Sequence, residues 1–105
     1  MPSLLNGVFT RTGATVSIAT STTSAVGYAS IQLNGYAVVE IVNSSTTTTG
    51  AFTLDGSAAS GTSRVIPPMG VLYEVIVNQS VSAAVSATTI TANGGTIFFT
   101  PGVVK

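Results

Sequence analysis

Apolar residues return at every second position through most of this chain, and that habit leaves little room for anything but packed β-sheet. Ala14, Val16 and Ile18 alternate with Thr15, Ser17 and Ala19, and Ala29, Ile31 and Leu33 alternate with Tyr28, Ser30 and Gln32. The same beat recurs over 51–54, 71–77, 81–85, 88–92 and 96–99. In an extended strand successive side chains point to opposite faces, so the spacing gives each segment one inward and one outward face. Residue type agrees. Thr, Val, Ser, Ile and Gly dominate, while the helix formers Glu, Lys, Gln and Leu are scarce. β-branched side chains lose rotamer freedom in a helix and pack well on a pleated surface.

Turn residues divide the alternating runs. Asn34-Gly35 sits between SIQL and YAVVEIV, and Asn-Gly suits a two-residue type I′ hairpin because both positions need positive φ. Asp55-Gly56 and Asn93-Gly94-Gly95 are similar signals. Pro67-Pro68-Met69-Gly70 stops one strand and starts the next, since proline donates nothing to a ladder. The expected fold is all-β: one small β-sandwich, jelly-roll-like, or a barrel, of about eight short and mostly antiparallel strands. With 105 residues and no internal repeat or boundary, residues 1–105 are expected to form a single domain.

Two strands carry more information than the rest. In YAVVEIV, Tyr36, Val38, Glu40 and Val42 share a face, and Ala37, Val39 and Ile41 share the other. In VLYEVIV, Val71, Tyr73, Val75 and Val77 lie opposite Leu72, Glu74 and Ile76. All four faces are mainly apolar, so both strands are expected to be covered on both sides, either by another subunit or by a loop of the same chain. Glu40 and Glu74 interrupt those faces. They are expected to be exposed near strand ends, or, if buried, paired with Arg11, Arg64 or Lys105.

Charge narrows the functional classes. An ordinary domain is about 25% charged; this one is 6% charged with a formal net charge of zero, and carries 30 Ser and Thr residues instead. A polar but uncharged surface lies against another protein without stranding charges, and a net charge near zero favours association. Three basic residues are too few for several phosphates, so no nucleic acid is expected. No apolar run approaches the ~18 residues of a membrane helix, so no membrane partner is expected. The start MPSLLNGVFTRTG has neither a basic leader nor a long apolar stretch, and no secretion signal is expected.

The usual catalytic groups are missing. The chain has no histidine and no cysteine, hence neither the commonest general base nor a thiolate. No G-x-S-x-G elbow surrounds any serine. A carboxylate pair could come only from Glu40, Asp55 and Glu74, whose spacing argues for no shared cleft. Asp55 reads as a turn residue. No enzyme activity, no metal and no cofactor are expected. Asn43-Ser44-Ser45 and Asn78-Gln79-Ser80 match the N-glycosylation pattern but read as turn asparagines. The run NSSTTTTG reads as a hairpin connection at one end of the sandwich, its hydroxyls satisfying local backbone or a neighbour.

Over 38–102 the chain resembles small all-β structural proteins of tailed bacteriophages. The similar segments are VEIVNSSTTTTGAFTLDG, IPPMGVLYEVIV and the terminal TIFFTPG. In such proteins a strand and polar turn lead to a short aromatic strand, a proline-glycine turn follows, and a last strand closes at Thr-Pro-Gly. The resemblance implies a virion component on the capsid exterior, made in the host cytoplasm. Its implied role is that of a capsid decoration or cement protein, partnered by itself, trimers favoured, and by the major capsid protein. The alternatives are a head-fibre or tail adhesin domain, or a non-viral surface-assembly domain. Residues 1–10, with Leu4, Leu5, Val8 and Phe9, are either an arm that orders on the shell or the first strand of the sandwich. The interface residues expected on this reading are Leu4, Leu5, Phe9, Tyr36, Val38, Leu72 and Ile76.

Overall fold

The computed structural model describes residues 8–20, 27–32, 37–60, 63–76, 82–89 and 95–104. Among the described residues there are nine strands and no helix: β1 (Phe9–Arg11), β2 (Val16–Thr20), β3 (Gly27–Gln32), β4 (Ala37–Asn43), β5 (Gly50–Thr53), β6 (Arg64–Ile66), β7 (Val71–Ile76), β8 (Ser82–Thr89) and β9 (Gly95–Val104).

Their pairing is nested. β5 pairs with β6, β4 with β7, β3 with β8 and β2 with β9, all antiparallel. That is the pattern of one long antiparallel ribbon with its tip at β5–β6. Rolling the ribbon lays β9 beside β4 and β8 beside β5. Two sheets result. The first runs β1-β9-β4-β7, with β2 sharing the β1 side of β9, and the second runs β3-β8-β5-β6. This is a jelly roll, and β1 is an addition to its eight strands. The described strands form two separate sheets, so the sandwich rather than the closed barrel is the architecture.

The core lies between the sheets. The first contributes Ile18, Val39, Ile41, Ile97 and Phe99, and the second Ile31, Phe52, Ile66, Val85 and Ala87. Phe52 and Phe99 meet edge to face across the gap, ring centroids 6.1 Å apart. Such a pair adds about 0.5–1.5 kcal/mol beyond the area it buries.

Four expectations are corrected. SIQL and YAVVEIV do not form a hairpin: β3 pairs with β8, and β4 with β7 and β9, in different sheets. Asn-Gly encodes a local reversal, but Ile31 and Val39 bury in opposite layers of the core, so their strands part. Residues 33–36 themselves lie outside the described residues. NSSTTTTG likewise connects β4 and β5 across the two sheets and is a corner rather than a hairpin. The segments 81–85 and 88–92 are not two strands; β8 runs unbroken from Ser82 to Thr89. β3 pairs with Ser82 to Ala87 and β5 with Ser86 to Thr89, and this overlap carries the strand across the junction. Finally, Thr-Pro-Gly does not close the last strand, because β9 continues through Pro101 and Gly102 to Val104.

Pro101 sits in an interior strand, where proline is normally excluded. Its carbonyl accepts from the Thr12 amide at 3.0 Å, so its missing N–H also faces the β1–β2 side. There the edge is interrupted over 12–15, between β1 and β2. No ladder bond is lost, and the proline fits only at this register.

Candidate functional site

The two outer faces of the sandwich differ. The segment 54–60 folds back over the second sheet, and the Ala59 amide donates to Ser86 Oγ at 3.0 Å. Ala51, Ala59, Ser86 and Thr88 are all buried beneath or within this roof. Asp55 builds its first turn. Its carboxylate accepts from the Ser57 hydroxyl at 2.6 Å and the Ser57 amide at 3.0 Å, while Gly56 takes φ 87°. Those bonds, the hydroxyl first, hold the exposed Asp55 carboxyl below its ordinary range.

Among the described residues no such roof covers β7 in the first sheet. Register places its outer face in rows: Val71, Val42 and Phe98; then Tyr73, Glu40 and Thr100; then Val75, Val38 and Gly102. The last row is covered by Phe9. A Cβ on Gly102 would collide with the Phe9 ring and the Thr10 carbonyl, so only glycine admits this approach. From there the Phe9 ring meets Tyr73 at 5.4 Å between centroids, across the strand that carries Val38. Val38 is thereby buried. Val71, Tyr73 and Val75 stay about half exposed, at 47%, 50% and 46%. Among the described residues they are the longest run of exposed large apolar side chains on one strand.

Met69 leads into that stripe. It is exposed, and its φ of 58° places it at the third position of the 67–70 turn closed by Gly70 N–H to Pro67 O at 2.9 Å. That position favours glycine, and a side chain there carries strain of order 1–3 kcal/mol.

The phenol of Tyr73 donates to Glu40 Oε2 at 2.8 Å. Losing its proton would set two negative charges together, so this bond first, then burial, raises the Tyr73 pKa above its ordinary value. For a raised pKa the associated stability is complete below the unfolded value and is lost as pH climbs through the folded one. The expected result, in an ultraviolet phenolate titration, is one tyrosine ionising later than in the unfolded chain. Glu40→Gln should bring it back; three coincident tyrosines would discard the interaction.

Beside β7 lies a cleft of about 410 Å³, where the free edges of the two sheets face each other, lined by residues that include Phe52, Asp55, Arg64, Glu74 and Val75. Only one ion pair among the described residues spans it, Arg64 Nη2 to Glu74 Oε2 at 2.7 Å. Arg64 is 57% exposed, and an exposed pair contributes about 0–1 kcal/mol. The carboxylates therefore depart from expectation: neither Glu40 nor Glu74 is exposed at a strand end, since both sit mid-strand, half-buried and partnered. Asp55 and Glu74 also come to one cleft, which their spacing did not foretell. Among the described residues no three His, Cys, Asp or Glu side chains gather as a metal site.

Of the seven expected interface residues, Leu4, Leu5 and Tyr36 lie outside the described residues, and the side chain of Ile76 does too. Phe9 is half-buried in β1 against Tyr73, so 9–11 are a strand of the first sheet. Val38 is buried at 6% exposure. Leu72 packs on the core. The available surface is the other face of β7, Val71, Tyr73 and Val75. Alternation shows that these three share a face. It does not show which face looks outward, because β4 and β9 decide that from far away in the chain. No protein-family model matches the chain, and neither a curated protein nor a solved structure matches it.

Proposed function

We propose that the chain is a non-enzymatic structural subunit of a tailed-phage virion, a decoration or cement protein that binds the major capsid protein and reinforces the shell from outside. The observation that carries the structural half of this reading is the open, uncharged stripe of Val71, Tyr73 and Val75 beside a face that the chain roofs for itself. Such a stripe suits a protein partner, because its three side chains carry no charge and the neighbouring Glu40 carboxylate already accepts from the Tyr73 hydroxyl. The virion half rests on the resemblance over 38–102 and on analogy, since jelly rolls serve as viral capsid and lectin domains.

A second reading, a head-fibre or tail adhesin domain, draws support from the cleft. Its polar groups Asp55, Arg64 and Glu74 sit beside Phe52, a lining suited to a small polar ligand. One experiment separates the two. Antibody against the chain is applied to intact phage particles from its source and viewed by immunoelectron microscopy. Label over the capsid exterior is the expected result. Label at the tail tip or fibres would transfer the assignment to the adhesin, and particles without label would end the virion reading.

A further inference from the structure

The sandwich has two sides on which sheet edges face one another. The side formed by β2 and β3 is shut: a Cβ on Gly27 would collide with Ile18 Cγ2, so the strands already touch there. The side formed by β6 and β7 is open, and the cleft runs along it. β6 is short and runs straight into Pro67 and Pro68, features that blunt an edge. β7 has neither proline nor lysine and pairs, among the described strands, with β4 alone.

Hydrogen-bond direction identifies its free groups. The Asn43 amide donates to the Gly70 carbonyl at 3.0 Å, so the carbonyl of Gly70 faces β4. Facing alternates along a strand. Leu72 and Glu74 therefore turn their N–H and C=O to β4, while Val71, Tyr73 and Val75 turn theirs to the open edge. The three residues of β7 with exposed apolar side chains are also the three whose backbone donors and acceptors no described strand uses.

We propose that β7 is a self-pairing edge: two copies of this chain join antiparallel through Val71, Tyr73 and Val75, about a two-fold axis at Tyr73, into one continuous sheet. The register is self-complementary. Val71 lies opposite Val75 of the second copy and Tyr73 opposite its own equivalent, so every free N–H and C=O of the three residues is paired. On the outer face valine adjoins valine and tyrosine adjoins tyrosine, and such pairs are favourable across strands. On the inner face Leu72 lies opposite Glu74. A two-fold one residue further on would instead set Glu74 against Glu74, a repulsive pair. With a net charge of zero, no overall repulsion opposes the union. The occupant is therefore a second copy rather than a foreign strand, whose sequence would need to match the same edge without that symmetry.

The pairing deepens the structural-subunit reading and takes its purpose from it, yet the two fail separately. A dimer absent from phage particles would leave the pairing standing and remove the virion role. A monomer found on capsids would do the reverse.

The test is sedimentation equilibrium of the full chain, whose mass is 10.5 kDa. The wild type is expected at twice that mass. Val71→Lys combined with Val75→Lys places lysine opposite lysine at both ends of the ladder and should halve the mass. Val71→Lys combined with Val75→Glu places opposite charges there and should restore it. Both positions are about half exposed, so the β circular-dichroism signal should persist. Should the double-lysine variant unfold, Tyr73→Cys decides. The chain has no cysteine, and residues directly opposite in such a pair sit about 5.5 Å apart at Cα, within disulfide reach. Mild oxidation should then link two chains. A wild-type monomer or trimer, a dimer indifferent to both lysines, a lysine effect without rescue, or an unlinked Tyr73→Cys chain would each overturn the proposal.

Discussion

Asn43→Leu is expected to lower the unfolding free energy by about 3–5 kcal/mol, a large share of the ~5–15 kcal/mol that holds a domain of this size. Asn43 ends β4 and is 2% exposed. Its side-chain amide donates to the carbonyls of Thr48 at 2.8 Å, Pro67 at 3.2 Å and Ile66 at 3.3 Å, and its Oδ1 accepts from the Ser45 amide at 3.0 Å. One side chain thus ties the end of β4 to the corner that follows it and to the strand β6 of the other sheet. Leucine fills the volume but strips the Thr48 carbonyl and the Ser45 amide of this partner, and a buried polar group left unpaired costs about 1–3 kcal/mol. Asn43→Asp keeps the shape and reverses the chemistry, aiming a carboxylate at three carbonyl oxygens. Burial and those dipoles would raise the pKa of the new carboxyl. Its deficit should therefore be worst at neutral pH and shrink on acidification toward the unfolded value near 4. Thr48→Val is the control at the same corner. Thr48 Oγ1 is buried with no hydrogen-bond partner among the described residues, so valine there should leave stability unchanged or improve it. Urea unfolding of the three variants decides the matter. A loss under ~1 kcal/mol for Asn43→Leu would show that the corner holds without this residue.

The six hydroxyls of NSSTTTTG belong to that same corner. Ser44 Oγ donates to the Thr96 carbonyl at 3.0 Å, and Ser45 Oγ accepts from the amides of Thr48 at 2.9 Å and Thr47 at 3.2 Å. The Met69 amide closes the corner on the Ser45 carbonyl at 2.8 Å. Satisfying local backbone was legible from residue type, because Ser and Thr compete for such groups. The path of the chain was not. Asn34-Gly35 and NSSTTTTG carry turn chemistry that says a reversal occurs, and the same chemistry serves a hairpin or a crossing between sheets. What decides is the partner of each strand, and in a nested ribbon those partners are remote: Val16 pairs with Phe99, and Ala29 with Val85. No local signal spans such separations. The faces of β4 and β7 were legible for the opposite reason, since alternation is a property of one strand. Which face of β7 meets water then followed from the sheet around it. β6 was marked only by the Pro67-Pro68 stop that follows it, because a strand of three residues has no period of its own to read.

Phe98 and Phe99 give the sharpest test of that sheet, because they are adjacent and face opposite ways. Phe99 lies in β9 opposite Val16 and Ile41, is 0% exposed, and packs edge to face on Phe52 across the core. Phe98 lies opposite Ser17 and Val42 on the outer face, half-buried, with Val42 between it and Val71. Phe99→Ala should cost about 3–5 kcal/mol, the usual loss for a phenylalanine deleted from a packed core. Phe98→Ala should cost about 1 kcal/mol, since part of its ring already meets water. The order of the two matters more than either value. A slip of β9 by one residue would exchange the faces of every side chain on it and invert the result. It would also turn the missing N–H of Pro101 toward β4, where a ladder bond is needed, and press a side chain into the place where only Gly102 admits Phe9. Proline, glycine and the two phenylalanines thus specify one register by three independent physical means. Guanidinium unfolding that found Phe98→Ala the more damaging change would reject that register, and with it the outward stripe of Val71, Tyr73 and Val75, since β9 sets the orientation of β4, and β4 that of β7.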